Sequence, residues 1–346
     1  MLYAGISWTA TGFEVQVAGP DGRIDRPAVR FTANRPKEIA SYLKGIGSAV
    51  TVVVDSTNGM LDGGLMAAGL RVHRADPQVL PAPPGFGSVS AAELALTAWR
   101  APAAVVPLAI ETGSLTGRLD EVAAGIAASE EATARMTAAG NCVVHGDRAR
   151  PEIALTFDDG PNPPYTGKIL DLLERYGVRA TFFCVGLNAS ASGEDLQRMI
   201  EQGHEVGNHT WSHPFLPDLS ETQLADQIDR TAEAIGSATG AEPGYFRPPY
   251  GSRTPAIVQS LAGRGTKVAL WDVDTEDWAM RGPEVVTKTV AHQTRPGSVV
   301  LMHDGGGDRS QTVAALPAVI EGLLSRGLEF VRVQDLSAPS FPTEAR

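Results

Sequence analysis

Hydrophobic residues recur at two different periods along this chain, and the switches between them mark its elements. Leu2–Trp8 and Phe13–Val17 read as strands, Pro20-Asp21-Gly22 is a turn signal, and Ala28–Phe31 completes a three-strand meander. Pro36–Gly45 opens on proline and reads as a helix, and Val50–Asp55 is a β-branched run expected of a buried strand. Leu61–Ala68 reads as a helix, Leu70–Arg74 as a short strand, and Ala91–Arg100 as a helix beyond the loop DPQVLPAPPGFG. Residues 119–139, rich in Ala, Glu and Leu and free of proline, predict one connecting helix closed by Gly140-Asn141. HGDRARPE reads as an exposed lead-in. Strands and helices then alternate through Ile153–Phe157, Ile169–Tyr176, Ala180–Val185 and Asp195–Gln202 to Phe330–Val333, which predicts a parallel sheet or barrel.

The chain has 346 residues, which suggests two domains, and its hydrophobic fraction of 43% is enough for a sizeable core. A net charge of −11 disfavours a large nucleic-acid footprint, which needs concentrated Lys and Arg. Cys142 and Cys184 are too few and too far apart for a disulfide framework, and are expected to be reduced, partly buried thiols. The N-terminus MLYAGISWTATGFEVQVAG has neither the basic nor the apolar region of a secretory signal, and no apolar stretch is long enough to span a membrane. Together these predict a cytoplasmic protein.

Five short stretches carry candidate chemistry. Thr156-Phe157-Asp158-Asp159-Gly160-Pro161 ends a buried strand. Neighbouring strand residues point to opposite faces, so the two carboxylates converge only where the chain bends, and a cation or an arginine must relieve their repulsion. The plain alternative is a solvated Asp-Asp turn. His209-Thr210-Trp211-Ser212-His213-Pro214 places two histidines four apart, projecting together if the segment is one helical turn. With Asp159 they make a two-His, one-carboxylate set that leaves a coordination position open, as catalytic zinc sites do, and Fe(II), cobalt or manganese would also fit. His204 is expected to be structural. In Arg247-Pro248-Pro249-Tyr250-Gly251 the prolines stiffen a loop and offer Arg247 for bidentate pairing with Asp158, while the Tyr250 N–H is a candidate oxyanion donor. Asp274-Thr275-Glu276-Asp277-Trp278, after the strand VALWDV, and Val300-Leu301-Met302-His303-Asp304-Gly305 would each be unremarkable alone.

In this order and spacing the five stretches resemble the NodB-homology polysaccharide deacetylases, a carbohydrate esterase family, across residues 150–338. The resemblance implies a distorted (β/α) barrel and a metal-dependent hydrolase that removes N-acetyl groups from N-acetylglucosamine-containing glycans such as chitin oligomers or peptidoglycan. It implies Asp158 as general base and Asp159, His209 and His213 as ligands of a divalent metal, with Zn2+ expected first. Arg247 would tune Asp158, Asp277 would support His303 as general acid, and Trp278 and Leu301 would line the acetyl pocket. The alternative kept open is a cytoplasmic amidase or imidase acting on a small, non-polymeric substrate.

VVVDSTNGMLDGGLMAAGLRVHRADPQVL is similar to the start of DEDD-type transposases, whose RNase H-like domain holds metal with several acids. Here Asp55 alone matches. Ser7 stands at the first-strand position, and the later acids are replaced around Ser88–Ala92. The resemblance implies a smaller RNase H-like α/β domain without catalysis. The alternative is a generic α/β domain with Asp55 capping a turn or helix. The expected organisation is therefore a degenerate RNase H-like domain at 1–115, a helical linker and lead-in at 116–149, the deacetylase domain at 150–338 and a tail at 339–346, with no nucleic-acid partner.

Overall fold

A computed structural model of the protein describes residues 1–47, 49–55, 59–83 and 85–339, residues 59 and 60 by backbone alone. The expected tail lies outside the described residues after Pro339. The first sheet is built from β1 (Leu2–Thr9), β2 (Gly12–Ala18), β3 (Val29–Thr32), β4 (Val50–Asp55), β5 (Arg71–Ala75) and β6 (Val106–Pro107), interleaved with helices α1 (Pro36–Ile46), α2 (Gly59–Ala67) and α3 (Ala91–Arg100). Its order is β3-β2-β1-β4-β5-β6. The first three strands form an antiparallel meander, β4 and β5 run parallel to β1, and β6 returns antiparallel. β4 is buried along its whole length, as its unbroken β-branched run requires.

Two helices, α4 (Leu119–Ala128) and α5 (Glu130–Ala138), occupy the connector expected to be one. The Ser129 hydroxyl donates to the Gly125 carbonyl at 2.7 Å, and such a back-bond from a serine bends a helix. HGDRARPE is the exposed lead-in expected only at Ala149–Pro151. Gly146 is buried, and Arg148 donates to Asp272 at 2.7 Å and to the Pro296 carbonyl at 3.0 Å.

The remaining elements are β7 (Cys142–Val143), β8 (Glu152–Asp158), α6 (Tyr165–Tyr176), β9 (Thr181–Cys184), α7 (Gly186–Ala191), α8 (Gly193–Glu201), β10 (Glu205–Asn208), α9 (Glu221–Thr239), α10 (Pro255–Gly263), β11 (Val268–Ala269), β12 (Val273–Asp274), α11 (Pro283–Gln293), β13 (Val299–His303), α12 (Ser310–Ser325) and β14 (Glu329–Phe330). Parallel pairing runs β10-β9-β8-β13-β12, and single parallel bridges through Phe246 carry the ring from Asn208 to β11, which pairs with β7. Among the described residues no pairing closes β12 onto β7, so the ring of parallel strands stays open. VALWDV is not one strand: Val268–Ala269 and Val273–Asp274 belong to separate pairings. The final strand is short, Glu329–Phe330, and Val333 begins a 3-10 turn. Helix α6 buries Tyr165, Thr166, Ile169, Leu170 and Leu173, one face at helical spacing, and stops at left-handed Gly177. Ser220 and Gln223 open α9 with a reciprocal capping box.

One apolar core crosses from one sheet to the other. Leu61 and Leu65 of α2 belong to the same buried cluster as Val185, Leu187 and Trp211. Arg118 donates to Asp218 at 2.7 and 2.8 Å with both side chains buried, and its guanidinium lies 4.1 Å from the centre of the Phe215 ring. Both cysteines are free and buried. No helix among the described residues is long and apolar enough to cross a membrane.

Candidate metal and hydrolytic site

Asp158 is the last residue of β8, and Asp159 turns the chain with a φ of 77°. That bend brings the two adjacent carboxylates onto one side. It is held from below: the Gly160 N–H donates to Asp304 Oδ1 at 3.1 Å, the Thr166 hydroxyl donates to Asp304 Oδ2 at 2.6 Å, and the Asp159 carbonyl accepts from Asn188 at 2.8 Å. Burial, only partly offset by Thr166, pushes Asp304 up to about 7. A closely fitting glycine loop covers the bend. Gly306 has a φ of +73°, and a Cβ there would sit 2.3 Å from Asp159 Oδ2.

The histidine pair does not lie on a helix. It follows β10 in a loop with Thr210 at φ 68° and His213 at φ 58°. Backbone turns, not helical periodicity, aim both rings at Asp159. Gln227 secures the loop by accepting from the Trp211 and Ser212 N–H groups at 2.8 and 2.9 Å. His209 Nδ1 bonds to the Arg247 carbonyl at 2.7 Å, which makes it the N–H donor and turns Nε2 toward Asp159. His209 Nε2 and His213 Nε2 lie 3.4 and 3.2 Å from Asp159 Oδ1. All three side chains are buried, and their ligand atoms fall within 4.8 Å of one another. Asp159 Oδ1 has no hydrogen-bond partner. Burial would raise this carboxyl, but His213, His209 and His303 hold it well below the usual carboxylate range. Burial lowers His213 to about 4 despite Asp159, so its ring is neutral at pH 7. A carboxylate oxygen without a hydrogen-bond partner facing two imidazole nitrogens fits a divalent cation, which would take all three as ligands.

Arg247 is fully buried and donates to Asp158 Oδ1 at 2.7 Å. The pairing is single, not bidentate as expected. The same nitrogen donates to the Thr156 hydroxyl, and the rest of the guanidinium serves the carbonyls of Ala269 and Leu270 at 3.1 Å each. These bonds spend the fork on holding the arginine in place. Asp158 Oδ2 faces His209 Nε2 at 3.6 Å.

On the opposite wall, His303 Nδ1 bonds to Asp277 Oδ1 at 2.7 Å. Asp277 Oδ2 accepts from the His303 N–H at 3.0 Å and from the Thr312 hydroxyl at 2.6 Å. Burial alone would lower His303. Asp277 overrides it by charge and hydrogen bond, and the imidazole is pushed up to about 9. Tyr250, at φ 59°, stacks edge-on to His213 with ring centres 4.5 Å apart. Tyr250, Trp278 and Leu301 all line the same cavity as Asp158, Asp159 and His303. His204 stays outside it, accepting from the Ala180 N–H at 3.1 Å.

Of the site residues expected from the sequence, all but Arg247 and Asp277 line one cavity, and those two lie behind it, bonded to Asp158 and His303. Thr156, Thr312, Asp304 and Asp62 were missed. Thr156 and Asp304 sit inside the quoted motifs, where their neighbours drew the attention. Thr312 and Asp62 carry no motif, and only the fold brings them in.

Residues 145–269 match the family described as Polysaccharide deacetylase. A peptidoglycan-N-acetylglucosamine deacetylase of Bacillus cereus is 39% identical over 186 residues, which is 53% of this chain and 87% of that protein. The chain belongs to the polysaccharide deacetylase family. A chitooligosaccharide deacetylase of Rhizobium leguminosarum is 38% identical over 59% of this chain and 96% of its own length. A crystal structure of a peptidoglycan N-acetylglucosamine deacetylase bound to an N-hydroxybenzamide superposes with a TM-score of 0.56 at 35% identity, over 58% of this chain and 94% of that one. The family match ends at residue 269, before Asp277, His303 and Thr312. The geometry is what joins that second half to the deacetylase site.

Proposed function

We propose that the protein is a metal-dependent hydrolase that removes the acetyl group from N-acetylglucosamine-containing glycans. The observation that carries this is the unpartnered Asp159 Oδ1 facing the Nε2 atoms of two histidines, beside the Asp158–Arg247 pair and across from a protonated histidine. Asp159, His209 and His213 would hold the cation, zinc by preference for this nitrogen-rich set, and when bound it supplies Lewis acidity and a lowered pKa for water. The chain's own groups do the rest. Asp158 takes a proton from the attacking water, and the buried Arg247 keeps that carboxylate aimed. The Tyr250 N–H donates to the oxyanion that develops on the former acetyl carbonyl. His303, charged at neutral pH, delivers a proton from Nε2 to the departing amide nitrogen, which leaves poorly without it. Leu301 and Trp278 wall the acetyl methyl.

Acetate release from N-acetylglucosamine oligomers, run beside metal analysis of the purified protein, tests this. Asp158→Asn should lose acetate release and keep its bound metal; unchanged activity removes Asp158 from the base role. A second reading, hydrolysis of a small amide or imide, is favoured by the enclosed cavity alone, and turnover of such amides without acetate from any sugar would select it.

Residues 1–115 we read as a degenerate RNase H-like unit, with 116–149 as linker and 150–338 as the deacetylase domain. The sheet order supports this, with an antiparallel meander followed by two parallel strands. So does the register, in which Ile6 faces Val54, setting Ser7 beside Asp55, while the Ser88 hydroxyl bonds to Asp55. One carboxylate among serines does not hold the pair of metal ions that strand transfer needs. The reading therefore expects no salt-sensitive shift of DNA in a gel, and such a shift would overturn it.

A further inference from the structure

The cavity above the acid and base is closed by residues that precede the matched family segment. Asp62 and Met66 of α2, with Ile110, Leu115, Leu119 and Val122, face Asp158, His303 and Trp278 across it. The space beneath this roof, partly open to solvent, is about 260 Å3, below the roughly 300–1,000 Å3 of sites that take drug-sized ligands. This roof is fixed to the floor. Gly63 lies so close to the Gly306 carbonyl that a Cβ would sit 2.5 Å from its oxygen. Leu61 and Leu65 share a core with Trp211, and Arg118 is ion-paired to Asp218.

Asp62 is the roof's unexplained residue. It lines the cavity and is 3% exposed; Oδ1 accepts from the Gly63 N–H at 2.6 Å, no partner sits in hydrogen-bonding geometry at Oδ2, and burial pushes the carboxyl up to about 7 against the pull of nearby Ser114. A buried carboxyl oxygen left unpaired is costly. A hydroxyl-bearing substrate would satisfy it.

We infer that the N-terminal unit is part of the active site, that it limits the enzyme to short N-acetylated amino sugars or chain ends, and that Asp62 Oδ2 accepts a hydrogen bond from a sugar hydroxyl. The inference rests on the deacetylase reading. A polymer deacetylated at an interior residue must pass across the floor with room for sugars on both sides, and the space here is filled by α2 and the 110–122 segment. Asp62 would confer selectivity because a ligand lacking the hydroxyl leaves that oxygen unpaired.

The full-length, metal-loaded protein is tested with N-acetylglucosamine, its β-1,4 disaccharide and its hexasaccharide, measuring acetate, the positions deacetylated, and binding by calorimetry. The expected result is binding and turnover of the short sugars, with the hexasaccharide attacked at a terminus only. Asp62→Ala should raise KM and Kd by roughly 2–10-fold, the worth of an ordinary hydrogen bond, with kcat changed far less, and Asp62→Asn should recover part of the loss. Leu119→Ala, at a half-exposed roof position, should raise hexasaccharide turnover relative to the disaccharide, and it keeps the test alive if Asp62 variants fold poorly. Interior deacetylation of the hexasaccharide at rates matching the short sugars, or an unchanged KM in folded Asp62→Ala, overturns the inference and leaves the deacetylase reading intact. Length-limited, Asp62-dependent binding without acetate sinks the deacetylase reading and leaves the chamber standing. Neither binding nor acetate defeats both.

Discussion

Replacing Asp277 with asparagine isolates the general-acid step. The substitution keeps the side chain's shape and its contact with Thr312 but removes the charge that opposes the burial of His303. With Asp277 in place the imidazole titrates at about 9, so at pH 7.5 about 97% of it carries the proton the leaving amine needs. Without that charge, burial acts unopposed and the pKa falls to the ordinary 6.5 or below, leaving about one tenth or less protonated at the same pH. A cation at Asp159 cancels that ligand's own help to His303, which makes Asp277 the dominant support and strengthens the expected effect. The acid form alone thus costs about tenfold in kcat. Loss of the charged orienting bond brings the total toward the ~10²–10⁴-fold typical of a general acid. The assay is acetate release from the disaccharide across pH 5.5–10. The native alkaline limb should lie above pH 7.5 and toward 9, while Asp277→Asn should decline from near pH 6. An unshifted alkaline limb in Asp277→Asn, or activity above half of native at pH 7.5, refutes the role assigned to the pair.

The same pair sets a stability trend: native His303 keeps a proton that the unfolded chain releases above about 6.5, so stability falls as pH rises from there to about 9, and thermal melts across that window should show it in the native protein and not in His303→Gln. Arg247→Met leaves Asp158 buried and unpaired, and should destabilise by about 3–5 kcal/mol in denaturant unfolding; a loss under 1 kcal/mol would deny the pair its buried character. Gly306→Ala drives a methyl against Asp159 Oδ2 at a left-handed backbone position, and should weaken Zn2+ binding measured by competition with a chelator; unchanged affinity would show the loop free to move.

How much was readable in the sequence depended on how local the cause was. Val50–Asp55 could be read because burial on both faces of a parallel strand leaves a β-branched run. The Asp158-Asp159 bend could be read because adjacent carboxylates have one way to converge. His209-x-x-x-His213 put the two rings together for the wrong reason: four-residue spacing suggested a helical turn, while two left-handed residues in a loop do the aiming. The single helix at 119–139 failed because a lone Ser129 back-bonding to Gly125 gives no breaker signal like proline. VALWDV failed because an apolar run broken by a single Asp272 looks the same whether it lies in one strand or crosses between two pairings. Asp62 and Thr312 could not have been found, since neither lies in a stretch that carries chemistry and only the folded chain sets them beside the site.

Shared burial, more than the linker, decides whether the two halves act as one body, and this can be measured. Leu65 is 1% exposed and sits in the cluster that joins Leu61 and Val54 on one side to Val185, Leu187 and Trp211 on the other. Truncation to alanine removes three buried carbons and leaves a cavity at the seam, a change worth about 2–5 kcal/mol. If the seam is a true core, that loss falls on the whole molecule. Denaturant unfolding followed by tryptophan fluorescence and by far-ultraviolet circular dichroism should then give one coincident transition in both proteins, moved to lower denaturant in Leu65→Ala. If the halves merely touch, the variant would unfold in two steps, the first sheet first, with acetate release surviving it. Coupling in the first sense has a consequence for the active site: the roof that carries Asp62 cannot swing away without exposing Trp211 and Leu187 to water, so the chamber over Asp158 and His303 is as permanent as the fold.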